Sequence, residues 1–336
     1  MRIVTRLLLA FFVTLPSLGV AQGAPVANNE WEVPWGASGR PRDPYVAPDG
    51  NVFFVGQSGN YIARLDPRSG EFTRYEIDPG THPHNLIIDA NGLVWYSGNR
   101  NGMIGSLDPV TKKITRYPMP DPAIRDPHTL VFDQKGDIWF TAQQAGAVGH
   151  LEVKTGKIRI AMTGQNTRPY GIVINSKGIP WFNLFGTDKL ASIDPATMAL
   201  KTYALPNDRA RGRRIALTSD DVVWYVDYTR GFLGRLDPKE GVVTEVPMPG
   251  GGASLPYGMA TDDKDRLWFV ESGTKPNRLI GYDPKTKQFF GATPIGRDDN
   301  NTVRHMYFDK KTGLLWYDTD QGTIGRAEVS KARVAM

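Results

Sequence analysis

The sequence contains no cysteine in 336 residues. Disulfides, thiolate metal ligands and lipid attachment at a signal-peptide cysteine are therefore excluded. Long apolar runs are missing except at the amino terminus, where Arg2 and Arg6 precede the run Leu7 to Val20. A membrane span needs about 20 apolar residues, and Pro16 interrupts this shorter run, so segment 1–23 reads as a secretory signal peptide cut after Ala21 or Gly23. The expected location is periplasmic or secreted, with no membrane span. A strong charge of one sign is also lacking: the formal net charge is +5, and removing Arg2 and Arg6 leaves +3 (5 − 2). So small an excess sets nucleic acid aside and leaves a mild bias towards anionic partners. Apolar residues at helical spacing are absent too, which excludes a helical solenoid. With 40% hydrophobic and 22% charged residues, the chain nevertheless has the composition to bury a core.

What the sequence does have is repetition. The phrase PHNLIIDANGLVWYSG from Pro83 returns as PHTLVFDQKGDIWFTA from Pro127, PYGIVINSKGIPWFNL from Pro169 and GRRIALTSDDVVWYVD from Gly212. It continues as PYGMATDDKDRLWFVE from Pro256 and RHMYFDKKTGLLWYDT from Arg304, with a degenerate copy, PRDPYVAPDGNVFFVG, from Pro41. The aromatic that anchors each copy falls at Phe53, Trp95, Trp139, Trp181, Trp224, Trp268 and Trp316. Each copy is an apolar run, a turn rich in Asp, Asn, Lys and Gly, and a second run closing on the aromatic, which spells a hairpin. A second hairpin with an Asp-Pro turn follows, as in IGSLDPVTKKITRYPMP from Ile104. Four strands in about 43 residues describe a propeller blade. The fold expected for residues 24–336 is thus one all-β domain, a seven-bladed β-propeller with four antiparallel strands per blade. The last copy ends early, and EWEVPW, Glu30 to Trp35, looks like an outer strand without a blade; it is expected to close the ring as the outermost strand of the blade containing Trp316.

Counting eleven residues back from each anchor gives Arg42, His84, His128, Tyr170, Arg213, Tyr257 and His305, three of the five histidines at one repeat position. The first strand of a blade is the innermost, so these residues are expected to ring one mouth of the central channel. Antiparallel pairing is expected to set Tyr257 beside Glu271, Arg213 beside Asp227, and His305 beside Thr319 or Asp320. Such a set supports acid–base or metal chemistry. The alternative is structural: an Arg213–Asp227 ion pair, with histidines satisfying carbonyls in a wet channel. Metal held by histidines alone fits poorly, since His82 and His84 are separated by Pro83 and no pair lies on one strand of the ring.

The phrases Pro-His/Tyr-Gly-Ile, Asp-x-x-Gly, Trp-Phe-x-Glu and Ile-Gly-Arg resemble those of the virginiamycin B lyases, or streptogramin lyases, from about Glu30 to Val329. The resemblance implies a seven-bladed propeller and an enzyme that linearises a cyclic depsipeptide by elimination at its ester bond with Mg²⁺. It implies His305 as acid–base catalyst, although Arg304 replaces the preceding proline, and Asp320 as metal ligand. Val303 stands where a second metal-binding glutamate belongs, Tyr257 replaces a histidine, and Arg42 replaces a tyrosine.

Two functions stay open. One is an exported lyase-like enzyme acting on an ester or lactone, with His305 catalytic and Mg²⁺ held by Asp320 with help from Glu271. The other is a non-catalytic propeller, expected to be monomeric, whose mouth binds an anionic small molecule or a partner protein through Arg42 and Arg213, with the loop NDRARGRR, Asn207 to Arg214, adding charge. Calcium-dependent lactonase propellers fit less well, because they have six blades.

Overall fold

Each copy folds into four short antiparallel strands in chain order. Blade 1 comprises Pro41–Val46, Val52–Gly56, Tyr61–Leu65 and Phe72–Glu76, and each of the next five blades repeats that order. The structure, a computed structural model, describes residues 23–296 and 301–334. The signal-peptide reading falls, apart from Gly23, outside the described residues. Among the described residues no helix is long and apolar enough to cross a membrane.

The repeated grammar has local causes. In blade 2 the Asp89 carboxylate accepts the backbone N–H groups of Asn91 and Leu93 at 2.9 and 3.0 Å, and Gly92 takes the left-handed conformation (φ 82°) that closes the turn. The same carboxylate accepts the Trp95 indole N–H at 3.2 Å, so one acid fixes both turn and anchor. The glycine of the third strand answers a close approach: a Cβ on Gly234 would lie 2.0 Å from the Tyr225 ring, and one on Gly325 2.3 Å from Tyr317.

Side chains of each blade interdigitate with the next, and the core divides into clusters lying between neighbours. One joins Phe53, Val55 and Tyr75 of blade 1 to Leu86, Val94 and Tyr96 of blade 2. Another joins Phe54 and Tyr61 of blade 1 to Trp316 and Ile324 of blade 7. Trp181 is 3% exposed and packs with Ile215, Val223 and Tyr225 of the following blade. Trp181→Ala should therefore cost about 3–5 kcal/mol, the range for a large aromatic lost from a core. Urea denaturation reads this out; a loss below about 1 kcal/mol would mean that the ring contributes no more than a surface side chain.

The ring closes as the sequence implied, with the strand shifted. Blade 7 takes Met306–Asp309, Leu314–Thr319 and Thr323–Ala327 from the carboxyl end, and Asn28–Glu32 as its outermost strand. Trp31 pairs with Ile324 and stacks on Trp316 at 5.7 Å, as Tyr117 covers Trp95 at 5.4 Å in blade 2. Trp35, expected in that strand, lies beyond it: the chain turns after Val33, and the indole packs edge-on against Tyr61 and Phe72 of blade 1. The segment thus bridges first and last blades.

Candidate functional site in the central channel

Each of the first six inner strands carries a register shift near its start, between Pro83 and Leu86 in blade 2 and between Pro256 and Met259 in blade 6. Such a bulge re-aims side chains. Here it brings Arg42, His84, His128, Tyr170, Arg213 and Tyr257 to one level of the channel. The His84 and His128 rings lie 3.5 Å apart, His128 and Tyr170 lie 4.4 Å apart, and the Tyr170 and Tyr257 hydroxyls share a hydrogen bond. The Arg213 guanidinium sits 3.7 Å from the Tyr257 ring centre and 4.2 Å from that of Tyr228. Arg42 and Tyr257 are only 2% and 1% exposed, so these side chains fill the channel at their level and do not merely rim an open mouth.

The last blade departs from the expected register. In blades 1 to 6 the anchor pairs with the residue eight before it, as Ile87 with Trp95 and Ala260 with Trp268. In blade 7 Trp316 pairs with Tyr307, nine before it. The turn after Asp309 holds one extra residue, so a count of eleven stops one place short. Arg304, not His305, takes the seventh place in the ring. A second contact agrees: Asp320 N–H donates to the Thr302 carbonyl at 3.3 Å, as Tyr228 N–H donates to Arg211 in blade 5. The Arg304 guanidinium lies 5.4 Å from the Tyr257 ring and grips Asp320 with three hydrogen bonds, at 2.9, 3.0 and 2.6 Å. Arg40 approaches the same carboxylate at 3.8 Å.

His305 consequently sits one step deeper, at the level of Asp43, Asn85, Thr129 and Arg214. His305 was expected beside Thr319 or Asp320; instead Arg304 holds Asp320. Two further pairings slip by one residue at the bulges, and a slip by one sends a side chain to the other face. Pro256, not Tyr257, pairs with Glu271, whose carboxylate accepts the Gly250 N–H at 2.7 Å and pairs with Arg278. Gly212, not Arg213, pairs with Asp227, whose carboxylate takes the Arg211 N–H at 3.0 Å and an Arg230 N–H at 3.1 Å. Glu271 and Asp227 brace loops and stay out of the channel.

The deeper level is a buried charge network that the repeat count overlooked. Asp43 pairs with Arg42 at 3.2 Å and Arg214 at 3.7 Å, and accepts an Asn85 amide N–H at 2.8 Å. Burial alone would raise the Asp43 carboxyl, but Arg42, His305, Arg214 and Asn85 together hold it well below the usual range. Asp318 accepts the Asp43 N–H at 3.1 Å; burial, with Asp43 next to it, pushes its carboxyl up to about 8. Burial and the nearby arginines lower His84 and His128 well below ordinary histidine, and burial lowers His305 to about 4. All three rings are neutral at pH 7.

These residues do not suit Mg²⁺, which wants carboxylate and water oxygens in an octahedral shell. Asp320 is already held by two guanidiniums, Glu271 points away, and Val303 is fully buried in apolar packing. A group capable of chelation, Asp133, Asp137 and His150, lies in the body of blade 3 and not in the channel.

Comparison with known proteins places this architecture. A solved structure titled streptogramin B lyase is 24% identical, with a TM-score of 0.80, covering 90% of this chain and 97% of that one. A catalytically inactive virginiamycin B lyase from Staphylococcus aureus with quinupristin is 23% identical, with a TM-score of 0.79 and coverages of 90% and 98%. An extracellular domain of a putative one-component system from B. thetaiotaomicron is 15% identical at a TM-score of 0.68, this chain matching 43% of its length. No curated protein sequence matches. The model of the virginiamycin B lyase family matches residues 113–332, more than half of the sequence, and the chain belongs to that family.

Proposed function

We propose that this virginiamycin B lyase-like propeller is an exported binding protein for a small anionic molecule, recognised without metal where the arginine and tyrosine ring meets solvent. One observation carries the reading: Arg304, braced by Asp320, takes the seventh place of the ring, where the lyase reading needs a histidine. With Arg40, Arg42 and Arg213 it makes one end of the channel cationic. Arg40 and Arg304 keep 39% and 19% of their side chains exposed, and Phe185 and Tyr228 lie partly exposed beside Arg213. Guanidiniums framed by aromatic faces suit carboxylate and phosphate oxyanions. The basic and apolar character of segment 1–23 supports export, which amino-terminal sequencing of the expressed protein would read out.

The test is calorimetric titration with citrate and with phosphate in EDTA. Binding should persist without divalent cations, and Arg304→Ala should weaken it by about tenfold or more, the worth of a charge-assisted hydrogen bond. Binding that appears only with Mg²⁺, or linearisation of a cyclic depsipeptide by the purified protein, would instead support the lyase.

A further inference from the structure

Beneath the ring lies a cavity of about 360 Å³, within the size range of small-molecule sites. It extends from Asn85, Thr129, Arg214 and His305 along the inner strands to their far ends at Phe132, Leu217, Thr261 and Phe308. The packed ring of Arg42, His84, His128, Tyr170 and Tyr257 separates it from the arginine-rich end described above. Its wall is apolar, carrying Ile87, Val131, Val173 and Ala260, with the Tyr45 and Tyr307 rings 4.1 Å apart. Its floor is polar.

That floor is incompletely satisfied. The Arg214 side chain is 3% exposed; its Nε donates to the Arg304 carbonyl at 2.9 Å, while Nη2, 3.7 Å from the Asp43 carboxylate, makes that ion pair without a hydrogen bond. His305 Nδ1, also on the floor, has no hydrogen-bond partner either. Charge favours an anion too. Arg42 and Arg214 both lean on the one Asp43 carboxylate, at 3.2 and 3.7 Å, and an anion seated on the floor would add counter-charge while completing the hydrogen bonds of Arg214 and His305.

We propose that this cavity binds an amphipathic monocarboxylate, its carboxylate against Arg214 and His305 and its apolar chain or ring along the inner strands. The apolar wall disfavours polyanions such as citrate or phosphate, whose further charges would be buried unpaired. The site is therefore distinct in both position and ligand class from the solvent-facing arginine end.

The experiment is calorimetric titration of the full protein with hexanoate and benzoate, and with hexanamide as the neutral counterpart. The carboxylates should bind one to one, and hexanamide at least about tenfold more weakly. Ala260→Phe, which places a ring in the cavity and leaves the floor intact, should abolish hexanoate binding. Should that variant fail to fold, Arg214→Lys provides the second reading: it keeps the charge, loses the fork, and should weaken hexanoate by about tenfold. Arg304→Ala should weaken citrate and leave hexanoate unchanged, so failure of one site is separable from failure of the other. Absence of hexanoate binding, equal binding of hexanamide, or hexanoate binding that survives Ala260→Phe would overturn the proposal.

Discussion

Deleting residues 28–35 should lower the melting temperature by on the order of 10 °C or more. The segment makes five cross-strand pairs with Thr323–Ala327. The Glu30 carboxylate accepts hydrogen bonds from Tyr317 Oη at 2.9 Å, Thr323 Oγ1 at 3.2 Å and the Gly296 N–H at 2.8 Å, tying three segments together. Trp31 covers Trp316, and Trp35 packs on blade 1. Two large aromatics lost from such packing cost several kcal/mol, and each kcal/mol is worth about 2–4 °C in a domain somewhat smaller than this one. The strand Thr323–Ala327 would also become a bare edge, so the deleted protein should aggregate on heating. Calorimetry with light scattering measures both, and an unchanged melt would contradict closure by this strand.

Asp43→Asn should destabilise the fold by about 3–5 kcal/mol, the cost of removing one partner from a buried ion pair. The carboxylate is fully buried between Arg42 and Arg214, and losing it leaves two guanidiniums without counter-charge. Asparagine is the informative replacement because Asp43 has a φ of 53°, a left-handed conformation that Asn tolerates and Ala does not. The sign of the pH dependence follows from the depressed carboxyl. Its stabilisation is fully present above the unfolded value of about 3.9 and is lost as pH falls through the lower folded value. The gap between wild type and variant should shrink as pH falls below about 4. A gap independent of pH would place its origin in shape and not in charge.

The blades were legible because their causes are local. Turn acids, closing glycines and anchoring tryptophans recur in sequence as they recur in space, and the truncated last copy announced the closing strand. Channel register was less legible. Counting from Trp316 misplaced His305, whereas counting from the turn acid would have placed Arg304 correctly: Asp309 lies seven residues before Trp316, but Asp89 lies six before Trp95. Bulges cannot be seen in the repeat, because they leave the spacing from strand start to anchor unchanged; hence Glu271 and Asp227 were assigned to the wrong face. Asp43 and Arg214 lie one residue past the counted ring position, where two copies have glycine, Gly171 and Gly258, so the count did not reach them. What marks them is an exception: charged side chains where the repeat admits none.

The channel is strongly cationic around Tyr257, which serves as its internal probe. Burial by itself would raise this phenol, yet Arg213, Arg304, Arg42 and Arg214 bring it down to about 8, while its partner Tyr170 is raised by burial and by Tyr257 itself. An ultraviolet absorbance titration of the folded protein should therefore show one tyrosinate, belonging to the coupled pair, forming near pH 8. It should vanish in Tyr257→Phe and move to higher pH when citrate binds. Titration of every phenol at or above about 10, or persistence of the early step in Tyr257→Phe, would contradict the cationic channel.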